Sequence, residues 1–311
     1  MLGPSGAEDC GVAEFGRSRL EWSHGDGLMI STIAVIAPGE MGAAMGRRLS
    51  EHGARVLTSL TGRSVATVRR AEVANMIGCD DDAIAQADVI LSVLPPAEAL
   101  ALAKRFAPPL SRVARKAMFV DCNAVNVETV HRIASIIGST GAHFVDGGII
   151  GPPPGRQGEP TLYFSGGGAP ALRALGELGL KVRIMEGPVG AASALKMSYA
   201  GINKGGILLA AAMLLGATRA GVVDALRAEL AESQPQLLSR IDRAIPDMYP
   251  KAYRWAPEME QIADFLGEDR AARDIFKAMA ALCRQLAADQ AGDRTEIGLL
   301  EKFVTKLSKT E

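Results

Sequence analysis

From Thr32 to about Gly187, short β-branched and aliphatic runs alternate with stretches of helical apolar spacing, and this alternation constrains the fold more than any other feature. A strand feeding a helix that returns to another strand builds a parallel sheet with crossover helices. The runs at 32–36, 54–57, 89–94, 117–120 and 142–145 read as its strands, with shorter ones at 161–165 and 181–185. The run at 89–94, apolar apart from Ser92, suits a strand buried on both faces, and Pro95-Pro96 stops it. After Gly187-Pro188 the strands cease. Residues 191–218 lack proline over a length of some seven helical turns, and helical spacing continues at 226–238, 258–265, 270–287 and 295–307. The expected organisation is an α/β domain at 29–188 and an all-helical domain at 189–311. Residues 1–28 show no hydrophobic periodicity and read as a disordered extension, consistent with a start codon upstream of Met29.

The chain of 311 residues is 48% apolar, enough for two cores, and its net charge of −1 gives no basic surface for nucleic acid or anionic membrane. Its four cysteines form no Cys-x-x-Cys pair and have no histidine at ligand spacing, so no metal is expected. No uninterrupted apolar run reaches the roughly 18 residues of a membrane span, the segment 205–215 reads as a buried helix, and no secretory signal is evident. A cytoplasmic setting is expected.

Between the first strand and the first helix stands Ala37-Pro38-Gly39-Glu40-Met41-Gly42. This is the place of the Gly-x-Gly-x-x-Gly loop of a Rossmann-type, doubly wound sheet. Gly39 lets the backbone approach a pyrophosphate, Gly42 lets the helix pack on the sheet, and the helix start offers free amides to the anion. Ala37 replaces the first glycine. Pro38, Gly39, Glu40, Met41 and Gly42 are therefore the candidate dinucleotide loop.

The end of the second strand reads the adenosine ribose, and NAD-specific proteins place an acid there. Here the stretch from Thr58 to Ser64 holds none. Arg63 with the hydroxyls of Ser59 and Ser64 suits a 2′-phosphate instead, so NADP is the expected cofactor, with NAD as the other candidate.

This loop, the Leu94-Pro95-Pro96 stop and the stretch Gly187-Pro188-Val189-Gly190-Ala191-Ala192-Ser193-Ala194-Leu195-Lys196, in this order, resemble the β-hydroxyacid dehydrogenases. That family includes 3-hydroxyisobutyrate and 6-phosphogluconate dehydrogenases. The segment Arg254-Trp255-Ala256-Pro257-Glu258-Met259-Glu260 is similar to a phosphogluconate-dehydrogenase-like bacterial branch. The resemblance implies cofactor contacts from Leu94, Pro95 and Asn123, and a general acid–base lysine on a long interdomain helix, matched by Lys196.

Three departures concern the substrate. Ala200 stands where the family has an asparagine four residues after the lysine, and Tyr199 or Asn203, on the same helical face as Lys196, is the candidate replacement. Ile150 stands in place of a substrate-binding serine, leaving backbone amides around Gly151. Glu258-Met259 replaces a Lys-Asp pair. The resemblance implies NADP-dependent hydride transfer with a small β-hydroxyacid or its carbonyl counterpart. Imine reduction in an apolar pocket at Ile149 and Ile150, and a non-catalytic NADP-binding module, are the alternatives. Gly201, Gly205 and Gly206 permit close helix packing, so a homodimer through the helical domain is expected.

Overall fold

The computed structural model describes residues 30–155 and 158–304. The 1–28 extension lies outside them. Two compact units divide between Ala194 and Leu195.

Eight strands form one sheet in the first unit: β1 (Thr32–Ile36), β2 (Arg55–Thr58), β3 (Met76–Gly78), β4 (Val89–Ser92), β5 (Met118–Asp121), β6 (Phe144–Ile150), β7 (Thr161–Ser165) and β8 (Lys181–Ile184). Their order is β3-β2-β1-β4-β5-β6-β7-β8. All pairings are parallel except β6 with β7, where Ile150 faces Thr161 and Asp146 faces Ser165. Helices α1 (Glu40–Glu51), α2 (Val65–Val73), α3 (Asp81–Ile84), α4 (Ala99–Arg112) and α5 (Val127–Gly138) follow the first five strands in turn. A 3₁₀ segment, Ala169–Gly176, connects β7 to β8.

Period-two alternation covers both faces of the sheet. Ile33 and Val35 of β1 join Met45 and Leu49 of α1 in one core, while Ala34 and Ile36 join Phe106 of α4 and Ile133 of α5 in the other. A buried side chain of this size stabilises by about 1.5–3 kcal/mol. Since β1 sits between β2 and β4, the connections from β1 and β4 leave to opposite sides and open a crevice at the carboxyl ends of those strands.

The second unit is helical, built on α6 (Ala191–Arg219), which starts in the first unit, with α7 (Val223–Ser233), α8 (Pro235–Met248), α9 (Ala252–Phe265), α10 (Arg270–Ala291) and α11 (Thr295–Val304). The single helix expected over 226–238 is two, because Pro235 has no amide to donate and takes the first turn of α8 instead. The 205–215 stretch of α6 is buried along one side only: Ile207, Leu208, Ala211 and Leu214 are covered, while Gly206, Leu209 and Met213 are exposed. By length and mean hydropathy (1.4) α6 matches a membrane span, although Lys196 and Lys204 interrupt it and 44% of that window is buried inside the protein. Gly201 and Gly205 do not await a partner: a Cβ on either would lie 3.2–3.3 Å from the Phe276 ring of α10.

Candidate functional site

The loop after β1 is built around one close approach. A Cβ on Gly42 would sit 2.1 Å from the Ala37 carbonyl oxygen, so no side chain fits there, whereas a Cβ on Gly39 would meet nothing within 4 Å. Gly39 is the N-cap of α1 and supplies no side-chain acceptor, which leaves first-turn amides, from Glu40 onward, for an anion. Arg70 of α2 donates to the Pro38 carbonyl at 3.1 Å and holds the loop from the side.

Across the crevice, the turn after β4 is clamped by Asn123. Its Oδ1 accepts from the Leu94 amide at 2.5 Å, and its Nδ2 donates to Ser92 Oγ at 2.7 Å and to Asp121. Asn123 is buried, and both its amide hydrogens are engaged, so its side chain holds Leu94-Pro95 in place and has no donor left for a ribose. The cap of α5 is a different residue, Asn126, which accepts from Thr129.

Loop and turn enclose a groove of about 560 Å³ whose walls bring together Gly39, Arg63, Leu94 and Pro95 with Thr67, Glu98 and Arg105. Arg63 is exposed. Ser64 caps α2 by accepting from Thr67, and Ser59 is buried with its hydroxyl accepting from Arg105 at 2.5 Å. Two of the three residues read as phosphate ligands are thus occupied in shaping the groove. Arg105 had no local signal, since α4 reaches the end of β2 only through the tertiary fold.

Beneath this end of the sheet lie two buried carboxyls on paired strands, Asp121 and Asp146. Asp146 accepts from Ser165 Oγ, from Ser193 Oγ and from the Gly190 and Ser193 amides, tying β6 and β7 to the start of α6. Asp121 Oδ2 has no partner, and burial lifts its pKa from 3.8 to about 7, opposed by hydrogen bonds from Ser92 and Asn123 and assisted by the Asp146 charge. Burial likewise pushes the Cys122 thiol up.

At the expected substrate loop, Ile149 packs in the core of the sheet and cannot line a pocket, while Ile150 ends β6 half-buried. Gly151 has a φ of +126°, and a Cβ there would come within 2.9 Å of Pro160. In the second unit, desolvation draws the Lys196 ammonium pKa down to about 8, with Glu258 opposing and Lys204 reinforcing the shift. Lys204 itself pairs with Glu258 and lies 5.2 Å from the Trp255 ring centre. Asn203 is held by Arg240, which donates to its Oδ1 at 2.7 Å, and Tyr199 is half-exposed. Among the described residues no cluster of three His, Cys, Asp or Glu side chains offers a metal site.

An amide-bearing helix start, a switch-point crevice and an arginine-lined groove are the parts of a nicotinamide dinucleotide site. Residues 32–178 match the NAD binding domain of 6-phosphogluconate dehydrogenase, and residues 217–286 match a domain of unknown function, DUF1932. The first segment is therefore an NAD-binding domain of that type, which bears out the resemblance to β-hydroxyacid dehydrogenases over residues 32–178. An uncharacterized 28.5 kDa protein of Methanothermus fervidus is 27% identical over 204 residues, 65% of this chain and 77% of its own. Mycobacterium tuberculosis 3-hydroxyisobutyrate dehydrogenase, solved with L-serine, shares the fold at 19% identity and a TM-score of 0.66, covering 88% of this chain and 99% of its own. So does an imine reductase from Myxococcus stipitatus in complex with NADP+, at 18% identity and a TM-score of 0.54, covering 88% and 99%.

Proposed function

We propose that the protein is an NADP-dependent oxidoreductase acting on a small β-hydroxyacid or its carbonyl counterpart, with Lys196 as general acid and base. The domain boundary we adopt follows Pro188, with 29–188 binding the dinucleotide. Bound NADP supplies the hydride acceptor or donor. The chain's own part is to bind, orient and move a proton. Amides at the start of α1 receive the pyrophosphate, Leu94 and Pro95 wall the groove, and Arg63 reads the 2′-phosphate.

The acid–base role rests on the place of Lys196 in α6, six residues after the Gly187–Gly190 entry, where burial lowers its ammonium pKa. At about 8, its Nζ exists in both protonation states near neutrality, so it can accept the hydroxyl proton during oxidation and return it during reduction. The retained lysine favours this reading over imine reduction and over a non-catalytic binding module. Backbone amides near Gly151, the Ile150 side chain and Tyr199 are the remaining candidates for holding substrate. Asn203, committed to Arg240, contributes by fixing α8 against α6. A screen of small hydroxyacids, aldehydes and cyclic imines with NADP(H) tests the reading. Turnover of hydroxyacids or their carbonyl partners supports it, and turnover confined to cyclic imines refutes it.

The protein is further proposed to be a soluble, cytoplasmic homodimer. Tyr199, Ile202, Gly206, Leu209 and Met213 recur at three- and four-residue intervals along α6 and are all exposed, an apolar stripe that a second copy would cover. Light scattering at micromolar concentration should give the dimer mass, and Ile202→Arg should give the monomer. A monomeric wild type would sink the proposal.

A further inference from the structure

Arg105 lies 42 residues beyond Arg63 in the chain, yet both line the same groove. We infer that Arg105 is a second specificity-determining residue, which together with Arg63 selects a dinucleotide bearing a 2′-phosphate over one that lacks it. The inference rests on the NADP reading above.

Its support is geometric. Arg105 Nε donates to Asp81 Oδ2 at 2.7 Å, and Nη2 donates to Asp81 Oδ1 and to Ser59 Oγ, each at 2.5 Å. The planar guanidinium is thereby fixed on two sides at the end of β2, where a ribose reader must stand. Among the described residues Nη1 makes no hydrogen bond, and the side chain is 38% exposed. A fixed, partly exposed donor in the same groove as an exposed arginine suits a dianionic group better than a neutral hydroxyl.

Asp81 sharpens the selection. It belongs to the run Asp80-Asp81-Asp82 that follows β3, and an acid here could serve NAD by accepting from ribose hydroxyls, but Asp80 is taken as the cap of α3, accepting from the Ala83 amide. Both Asp81 oxygens are already engaged by Arg105. The carboxylate that would favour NAD instead orients the cation that favours NADP. Glu98, the other acid on the groove wall, stands on the β4 side beside Pro95. Ser59 acts behind Arg105 as a strut, which gives a buried hydroxyl a role in cofactor choice without contact to the cofactor.

The test is titration of wild type, Arg105→Ala and Arg105→Lys with NADPH, NADH, 2′,5′-ADP and 5′-ADP. Loss of a charge-assisted bond should weaken binding of the two 2′-phosphorylated ligands by roughly 10- to 100-fold in Arg105→Ala, with NADH and 5′-ADP changed by less than about threefold. Arg105→Lys, which keeps charge and loses the fork, should fall between. Retained 5′-ADP binding shows that a variant is folded, and the lysine variant replaces the alanine one if it is not. Equal losses for all four ligands overturn the inference and leave the NADP reading intact. A wild type that binds 2′,5′-ADP no more tightly than 5′-ADP overturns both.

Discussion

Glycine does different work in the two units. At the dinucleotide end of the sheet, Gly42 faces a backbone oxygen that cannot move without breaking the loop, whereas on α6 Gly201 and Gly205 face the Phe276 ring, a side chain that can yield. The first kind of constraint is local, fixed by a residue five positions earlier in the chain. The second is set by a helix some seventy residues away. Chemistry placed on a turn after a strand leaves a mark in the sequence, and chemistry placed on a packed helix leaves little.

The sharpest attack on this contrast falls on the helical unit. Lys196→Met should lower turnover by roughly 10²–10⁴-fold while NADPH affinity stays within about twofold, measured by steady-state kinetics and fluorescence titration. With wild type, hydroxyacid oxidation should rise with pH through about 8, as the ammonium loses its proton, and carbonyl reduction should fall over the same interval. The methionine variant should lose both limbs. Wild-type turnover in that variant would assign the proton to another group.

Next in size, Gly42→Ala should cost about 2–4 kcal/mol of stability, because either the loop or the helix must shift to clear the Ala37 carbonyl. Gly205→Ala should cost less than about 1 kcal/mol, since better helix propensity offsets the displaced ring. Denaturant melts of both variants measure the difference, and equal costs would erase the contrast. Arg63→Ala should weaken NADPH binding by roughly 10- to 100-fold with NADH unchanged. Equal losses would mean that Arg63 supports the loop.

A pH-dependent effect concerns Asp121. Its folded pKa is raised from 3.8 to about 7, so the folded state holds the proton more tightly than the unfolded one, and that contribution is complete below pH 3.8 and lost as pH rises to about 7. Asp121→Asn, which cannot ionise, should therefore gain stability over wild type as pH rises from 5 to 8. Thermal melts across that range that show a constant gap would refute the assignment.

The sheet and its loop were legible because each depends on neighbours in the chain. β1 spans the residues its β-branched run indicated, and the Gly39–Gly42 spacing, set between that strand and a helical run, located the crevice. Hidden features depend on partners far away in sequence. Asn123 reads equally well as a helix cap or a ribose ligand until the Leu94 amide, 29 residues earlier, is brought to it. Arg105 carries no motif, and only the packing of α4 against the sheet turns it toward Ser59, 46 residues away. Even Pro235 shows the limit: a proline inside helical spacing signals either a kink or a new start, and the chain uses the second.

The Asn123 clamp has a thermodynamic consequence for association. A turn walling a ligand groove is ordinarily restless, and capturing ligand then requires freezing it, at about 1–2 kcal/mol per residue of backbone entropy. Here the Leu94 amide is held by a buried carboxamide that is itself held twice, so the ordering is completed when the chain folds. The dinucleotide meets a surface already set, and the amide of Leu94, though it lies outside any strand, should exchange its hydrogen as slowly as the sheet beside it.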